Sequence, residues 1–450
     1  MVLHRSRAST VEILPDAGSV VSHAGALVWQ GLCDKIGLTD AITQVFGLRG
    51  LQTIPRGAVM RDLAVTIADG GDAVVAVEAL RSQSAAFGPV ASDTTVWRTL
   101  EELDADRRHE FRRMLGAARE QVWNDARVAQ RLCRLLAVDV DATLVTAHTD
   151  KQLAAGTYKK GYGFHPVVCS LDCTREPLAI LQRAGNAGAN CADDLLDALT
   201  MGLAQLPARA FDRARHDIVV RMDSAGHSHK VVKFMHSHGL GFTIGADLTT
   251  DVWQRIGQLD ETAWVGAINQ DGREREFAHV AELAAPDGWG EGVRLIVRRE
   301  FAHIGAPMRL LDHEGNRYQV ILTNLQSDDL AYIAALYNGR GRAEQVIDEL
   351  KRCGLGKLPA QKAELNESWI LASLLAANLT RWSQLMLFDG RWRDARIDTI
   401  RTYVMHTGAR LTRHARRLRM HLDTRWPAYE PLCTAFARLR QMRTPTLQPC

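Results

Sequence analysis

The sequence predicts an α/β fold, a mixed sheet flanked by N-terminal and C-terminal helical regions. Three observations predict it. Short apolar runs of strand length alternate with helix-like segments between about residues 134 and 246, the pattern of an α/β sheet. The texture turns to β between 247 and 330, then helical again from about 328. Before residue 130 the pattern is helical and punctuated by polar residues.

At 450 residues the chain has room for two or three domains. Hydrophobic residues make up 46% and charged residues 24%, an ordinary globular composition. A net charge of +3 and a pI near 8.4 are too mild to announce a polyanionic partner. The distribution says more: from Arg391 to Arg425 ten arginines stand against three aspartates. A solvated amphipathic face and a phosphate-binding surface account for that run equally well. The eight cysteines contain no C-x-x-C pair and no nearby histidine cluster that would complete a zinc site. They read as reduced thiols of a cytoplasmic protein. No signal peptide is recognisable, and no apolar stretch reaches the length of a membrane span.

Taken in order, residues 1 to about 20 read as an extended leader to an N-terminal helical domain, 1–132. Turn signals fall at Gly70-Gly71 and Gly88-Pro89. Ser92 or Asp93 caps a helix running to Leu100. It follows a helix-like run at 55–82, an arrangement that fits a helix-turn-helix reader. Thr94, Thr95 and Arg98 would then face DNA, with Val96 and Leu100 facing the core; a plain helical subdomain explains the same pattern.

The first part of the catalytic domain spans 133–246. Its first strand run, Leu135 to Val145, is interrupted by Asp139 and Asp141, two residues apart and therefore on one side of a strand. A carboxylate there is costly unless paired, hydrogen-bonded or bound to a metal. Strand runs at 164–171 and 176–182, a helix at about 190–205, and a second apolar strand from Asp217 to Met222 follow. That strand ends in Asp223 and a Gly turn. A helix at 228–238 and a strand at 241–246 complete this part. A β-rich insertion spans 247–327, with strand runs Val293–Arg299, Met308–Leu311 and Tyr318–Thr323. The last two are joined around the hairpin signal Glu314-Gly315-Asn316. Helices resume over 328–390, including the apolar run Trp369–Leu387, and continue through a basic C-terminal region, 391–450.

The chemistry concentrates in the helix after 328. Tyr337, Arg340, Glu344 and Lys351 are separated by three, four and seven residues. On an α-helix those steps place a hydroxyl, a guanidinium, a carboxylate and an ammonium within an arc of about 60°. A solvated helix face is the plain alternative. Upstream, Asp141 and Asp223 each end an apolar strand. Two strand-end carboxylates and one on a helix form the protein half of a two-metal site. Mg²⁺ takes hard oxygen ligands and keeps several waters, so a few carboxylates suffice. A pair of such ions stabilises the attacking and leaving oxygens of an in-line phosphoryl displacement.

These residues resemble the DDE-type transposases of bacterial insertion sequences, in the group with the spacing Y-x2-R-x3-E-x6-K. Tyr337, Arg340, Glu344 and Lys351 reproduce that spacing. Asp141-Ala142-Thr143 resembles the first Asp motif of the group, and Arg221-Met222-Asp223-Ser224-Ala225 the second. Tyr158–Pro166 and Gly185–Gly188 are similar to it as well. The resemblance implies a ribonuclease H-like catalytic fold and cut-and-paste DNA transposition. By position, Asp141, Asp223 and Glu344 would be catalytic and would hold two Mg²⁺ ions, with Mn²⁺ as a substitute. Arg340 and Lys351 would contact DNA phosphates, and Tyr337 would pack or hydrogen-bond to the strand there. The implied partner is double-stranded DNA, both terminal inverted repeats and target, bound as a homodimer in a nucleoid-associated complex.

Asp139 shares the strand face of Asp141; Thr143, two places on, favours Asp141. Glu349 reads as solvated, Asp348 as a spare carboxylate, and His227 and His229 as surface residues. Two other functions compete with transposition: a catalytically inactive or repurposed DNA-binding protein, and a plain ribonuclease H-like nuclease.

Overall fold

The computed structural model describes residues 20–47, 53–188, 191–301, 315–414 and 417–447. Nearly all of the expected leader and the strand run Met308–Leu311 lie outside them. A short strand, β1 (Val20–Val21), precedes a helical region whose longer helices are α1 (Leu27–Lys35), α2 (Leu38–Phe46), α3 (Arg56–Ala68), α4 (Asp93–Glu101) and α5 (Ala105–Trp123). The helix-like run 55–82 is therefore cut. Gly70, at φ 111°, turns the chain after Asp69 in a conformation that L side chains rarely adopt. At α4 the Ser92 hydroxyl accepts from the Thr95 amide at 3.4 Å, satisfying one orphan donor of the first turn.

The sheet follows. Strands β2 (Leu135–Ala142), β3 (Val167–Leu171) and β4 (Glu176–Leu181) form an antiparallel ladder. Helix α6 (Ala192–Leu203) crosses to β5 (Asp217–Met222), and α7 (His229–Ser237) leads to β6 (Gly241–Ala246). Strand β5 lies parallel to both β2 and β6. After α8 (Thr250–Ile256) come β7 (Val265–Ile268), β8 (Glu274–Ala284), β9 (Arg294–Phe301) and β10 (Asn316–Thr323). The expected insertion does not close into a sheet of its own. Strand β10 pairs antiparallel with β6, from Val320 opposite Ala246 to Thr323 opposite Thr243, giving nine strands in the order β7-β8-β9-β10-β6-β5-β2-β3-β4.

Helix α9 (Leu330–Asn338) covers the extension, burying Ile333, Ala334 and Tyr337 against Val280, Ile296 and Ile321. Next come α10 (Gly341–Leu350) and the long α11 (Ala363–Leu387), apolar on nearly every side and buried nearly throughout. Helix α11 packs between β4 and helices α1, α3 and α5. One buried cluster thus runs from Trp29 through Val138 to Trp382, across the boundary expected near residue 132. Glu176 fastens the junction. Its carboxylate, fully buried, accepts from Arg119 Nε at 2.9 Å, Trp382 Nε1 at 2.7 Å, Trp123 Nε1 at 3.0 Å and Thr174 Oγ1 at 2.6 Å. Burial alone would push this carboxyl up; the Arg119 charge and the three other donors outweigh it and hold it below its usual value.

The C-terminal region departs from the all-helical expectation. Strands β11 (Ala409–His414) and β12 (Arg417–Leu422) form a hairpin that pairs with β1, and α12 (Tyr429–Gln441) follows. The reason is a period of two rather than 3.6. Ala409 and Leu411 are buried, while Arg410, Thr412 and His414 between and beyond them are exposed. Among the described residues no helix is long and apolar enough to cross a membrane.

Candidate active site

Parallel register brings the two aspartates together. Val140 on β2 is opposite Met222 on β5, the last pair of that ladder. Asp141 and Asp223 come next on strands roughly 4.8 Å apart. Asp223 is fixed as the cap of a tight turn, its Oδ1 accepting from the Ala225 amide at 3.0 Å. Glu344 lies in the first turn of α10, which buries Ala343, Val346, Ile347 and Leu350 and packs over β2, β3 and β4. The charges of Asp223 and Glu344 both reach Asp141. Burial pushes the Asp141 carboxyl up from 3.8 to about 6; Arg340 opposes the rise, and Asp223 and Glu344 add to it. A hard divalent cation between these acids would relieve that mutual repulsion.

The structure separates Asp139 from Asp141. Asp139, 1% exposed, is gripped by Arg221 through two hydrogen bonds of 2.7 Å. Arg221 also lies 3.1 Å from Asp172, which in turn pairs with Arg342. Asp139 is committed to that buried network, whereas Asp141 has Arg340 as its partner and feels the charges of Asp223 and Glu344.

Tyr337, Arg340, Glu344 and Lys351 do not share one uninterrupted helix. In such a helix the Leu336 carbonyl would accept from the Arg340 amide. Instead it accepts from Arg221 Nη1 at 2.9 Å, and the Arg340 amide turns to the Tyr337 carbonyl at 3.0 Å. Gly339 makes this possible, because a Cβ there would lie 2.6 Å from Arg221 Nη1. Backbone angles at Gly339 and Arg340 stay right-handed, so the side chains keep nearly a common face.

Arg340 Nη1 lies 3.3 Å from Asp141 Oδ2, and its guanidinium is 6.0 Å from the centre of the Tyr337 ring. Tyr337 itself is only 6% exposed. Its hydroxyl stands over Gly245, where a Cβ would come within 2.5 Å of it. Little of the ring is accessible, and it packs behind Arg340. Lys351 opens the π-turn Lys351–Leu355 and is half-buried. Burial depresses its ammonium pKa, and the nearby Lys159 charge adds to that, so the loop carrying Tyr158 and Lys159 lies on the same side of the site.

Other polar residues near the site have structural partners. Asp348 is taken up by Arg352 and Arg396. Glu349 is partly buried, and burial raises its pKa, with Arg175, Arg381 and Arg396 opposing. His165 is buried, its Nδ1 3.1 Å from the Ala187 carbonyl oxygen. His227 and His229 both stack on Trp289, at 4.6 and 4.0 Å between ring centroids, pinning the chain after Asp223 to the loop before β9. Trp289 was not singled out by the sequence, and Arg221 only as the first residue of the second Asp motif, without a role. For Arg221 a signal existed, since aligning Asp141 with Asp223 sets Arg221 opposite Asp139.

The sequence model of the family described as "Transposase DDE domain group 1" matches residues 3–444. The chain belongs to that transposase family. DDE transposases are DNA-processing enzymes that generally use divalent metal ions. A search of curated proteins finds no match. Among solved structures, the chain is similar to a piggyBac transposase synaptic complex with hairpin DNA, at 10% identity and a TM-score of 0.40, over 85% of this chain and 80% of that one.

Proposed function

We propose that this chain is the DNA transposase of a bacterial insertion sequence, cutting at the ends of its element and joining them to target DNA by a cut-and-paste route. The observation that carries the proposal is the placing of Asp141 and Asp223 just past the ends of two adjacent parallel strands, with Glu344 within electrostatic reach of Asp141. The strand order β4-β3-β2-β5-β6 supports a ribonuclease H-like catalytic core.

Asp141, Asp223 and Glu344 would hold two Mg²⁺ ions, or Mn²⁺ in their place, whose chemistry is to lower the pKa of the attacking hydroxyl and neutralise the leaving oxygen. Arg340 acts as a balancing cation beside Asp141 until DNA arrives. Its planar fork then grips a phosphate beside the scissile bond, a geometry suited to two oxygens. The buried Tyr337 hydroxyl and ring keep that guanidinium aimed at the site. Lys351 and Lys159 supply point charges for the neighbouring phosphates. Holding both ends of an element at once calls for a homodimer on DNA.

Labelled duplexes carrying the element's ends test the proposal. The intact chain should cut them in Mg²⁺ and join the freed 3′-OH to a second duplex, while Glu344→Gln binds the ends and cuts nothing. Cutting without joining would reduce the function to a plain nuclease. Binding without cutting by the intact chain would reduce it to a DNA-binding protein.

A further inference from the structure

A second cluster of metal-binding side chains lies outside the acidic site. His23 follows β1, Asp69 ends α3, and His406 closes the turn before β11. Their ligand atoms all lie within 4.8 Å of one another. His23 Nδ1 is 2.5 Å from Asp69 Oδ2, and His406 Nε2 is 3.0 Å from Asp69 Oδ1. The two imidazoles meet edge to face, with centroids 4.8 Å apart.

Proximity alone would suit a histidine–aspartate ion pair, but the alignment does not. His23 Nδ1 and Asp69 Oδ1 are buried without an aligned hydrogen bond, despite these short separations. Asp69 is 93% buried by side chain, at 7% exposure. Two buried ligand atoms that converge on one point without a partner, His23 Nδ1 and Asp69 Oδ1, are what a common cation requires. The backbone around them is tightly fixed. The Ala24 amide donates to the Thr407 carbonyl at 3.0 Å, and a Cβ at Gly25 would lie 1.8 Å from the Val404 carbonyl oxygen. His406 Nε2 donates to the Asp69 carbonyl oxygen at 3.3 Å, a bond that an ion held by Nε2 would replace. The nearby Arg401 guanidinium is already engaged by the carbonyls of Ile67, Ala68 and Arg352.

We infer that His23, Asp69 and His406 form a metal site for Zn²⁺ or a similar late first-row divalent cation. Two imidazoles and one carboxylate match the preferences of such ions and not of Mg²⁺, which takes oxygens. A tetrahedral ion with bonds of about 2.0–2.1 Å sets donors roughly 3.3 Å apart, and the observed separations bracket that spacing. The ion would fasten the pairing of β1 with β11, and so the root of the cationic hairpin, to the end of α3. The site is independent of the acidic cluster in residues and in ligand chemistry.

The test uses the full chain, stripped by chelator and dialysed against Zn²⁺ in excess Mg²⁺. It should retain about one equivalent of Zn²⁺ and gain thermal stability. Glu344→Gln should behave the same way, whereas His23→Gln and His406→Gln should retain none and gain nothing. Equal retention in the histidine variants, or none in the unaltered chain, overturns the inference. If the histidine variants fail to fold, Co²⁺ added to the unaltered chain decides. It should give the visible absorption of a low-coordinate site, displaced by Zn²⁺ and not by Mg²⁺. A spectrum of hydrated Co²⁺ alone overturns it.

Discussion

Arg221 holds Asp139 through two hydrogen bonds of 2.7 Å, both side chains being essentially out of contact with solvent. The pair joins the strand that leads to Asp141 to the strand that leads to Asp223. It also places the Arg221 fork against the end of α9 and thereby breaks the helix just before Arg340. Removing one member strands the other charge in the core. Arg221→Met should cost about 3–5 kcal/mol of stability. Adding Asp139→Leu to it should restore most of that loss. Denaturant unfolding of the variants checks this; a loss under about 1 kcal/mol in the single variant would show that the pair does not organise the site.

Arg340 is expected to exchange Asp141 for a DNA phosphate. Arg340→Ala should weaken end binding and reduce the slope of log K against log salt by about one phosphate contact, close to 0.9. Binding measured across a salt series gives the slope. An unchanged slope would leave Arg340 as a partner of Asp141 only.

Asp141 has a folded pKa of about 6, above its ordinary 3.8. Its contribution to stability is therefore fully present below pH 3.8 and is lost as pH rises through about 6, amounting to about 3 kcal/mol at most. Without metal, Asp141→Asn should gain on the unaltered chain as pH climbs from 4 to 7, and Mg²⁺ should narrow the difference. Urea midpoints of the two proteins across that range test it; a difference that does not vary with pH would contradict the assigned environment.

Much of this was legible in the sequence because its strongest signals are local. Apolar runs ending in Asp141 and Asp223 became adjacent strands, and the spacing of Arg340 and Glu344 survived a break in the helix because the backbone stayed right-handed through it. What the sequence hid depends on partners distant in the chain. Tyr337 looked like a site residue on an exposed face, yet α9 turns it onto Ile333 and Val280 under the extended sheet. The extension itself was read as an insertion, and nothing local shows that Val320 pairs with Ala246. Arg-rich residues 409–422 were read by charge as a helix, although Leu411 and the alternation of Leu418, Met420 and Leu422 carried the strand period. His23, Asp69 and His406 are too far apart in sequence for any spacing rule to link them.

The central claim is that three carboxylates from separate elements hold divalent cations together. Mn²⁺ binding to the full chain, followed by electron paramagnetic resonance with Mg²⁺ as competitor, tests it most directly. The unaltered chain should bind Mn²⁺ saturably and release it to Mg²⁺, and a folded Asp141→Asn, Asp223→Asn double variant should lose that Mg²⁺-displaceable binding. Identical binding by the two proteins would contradict the account.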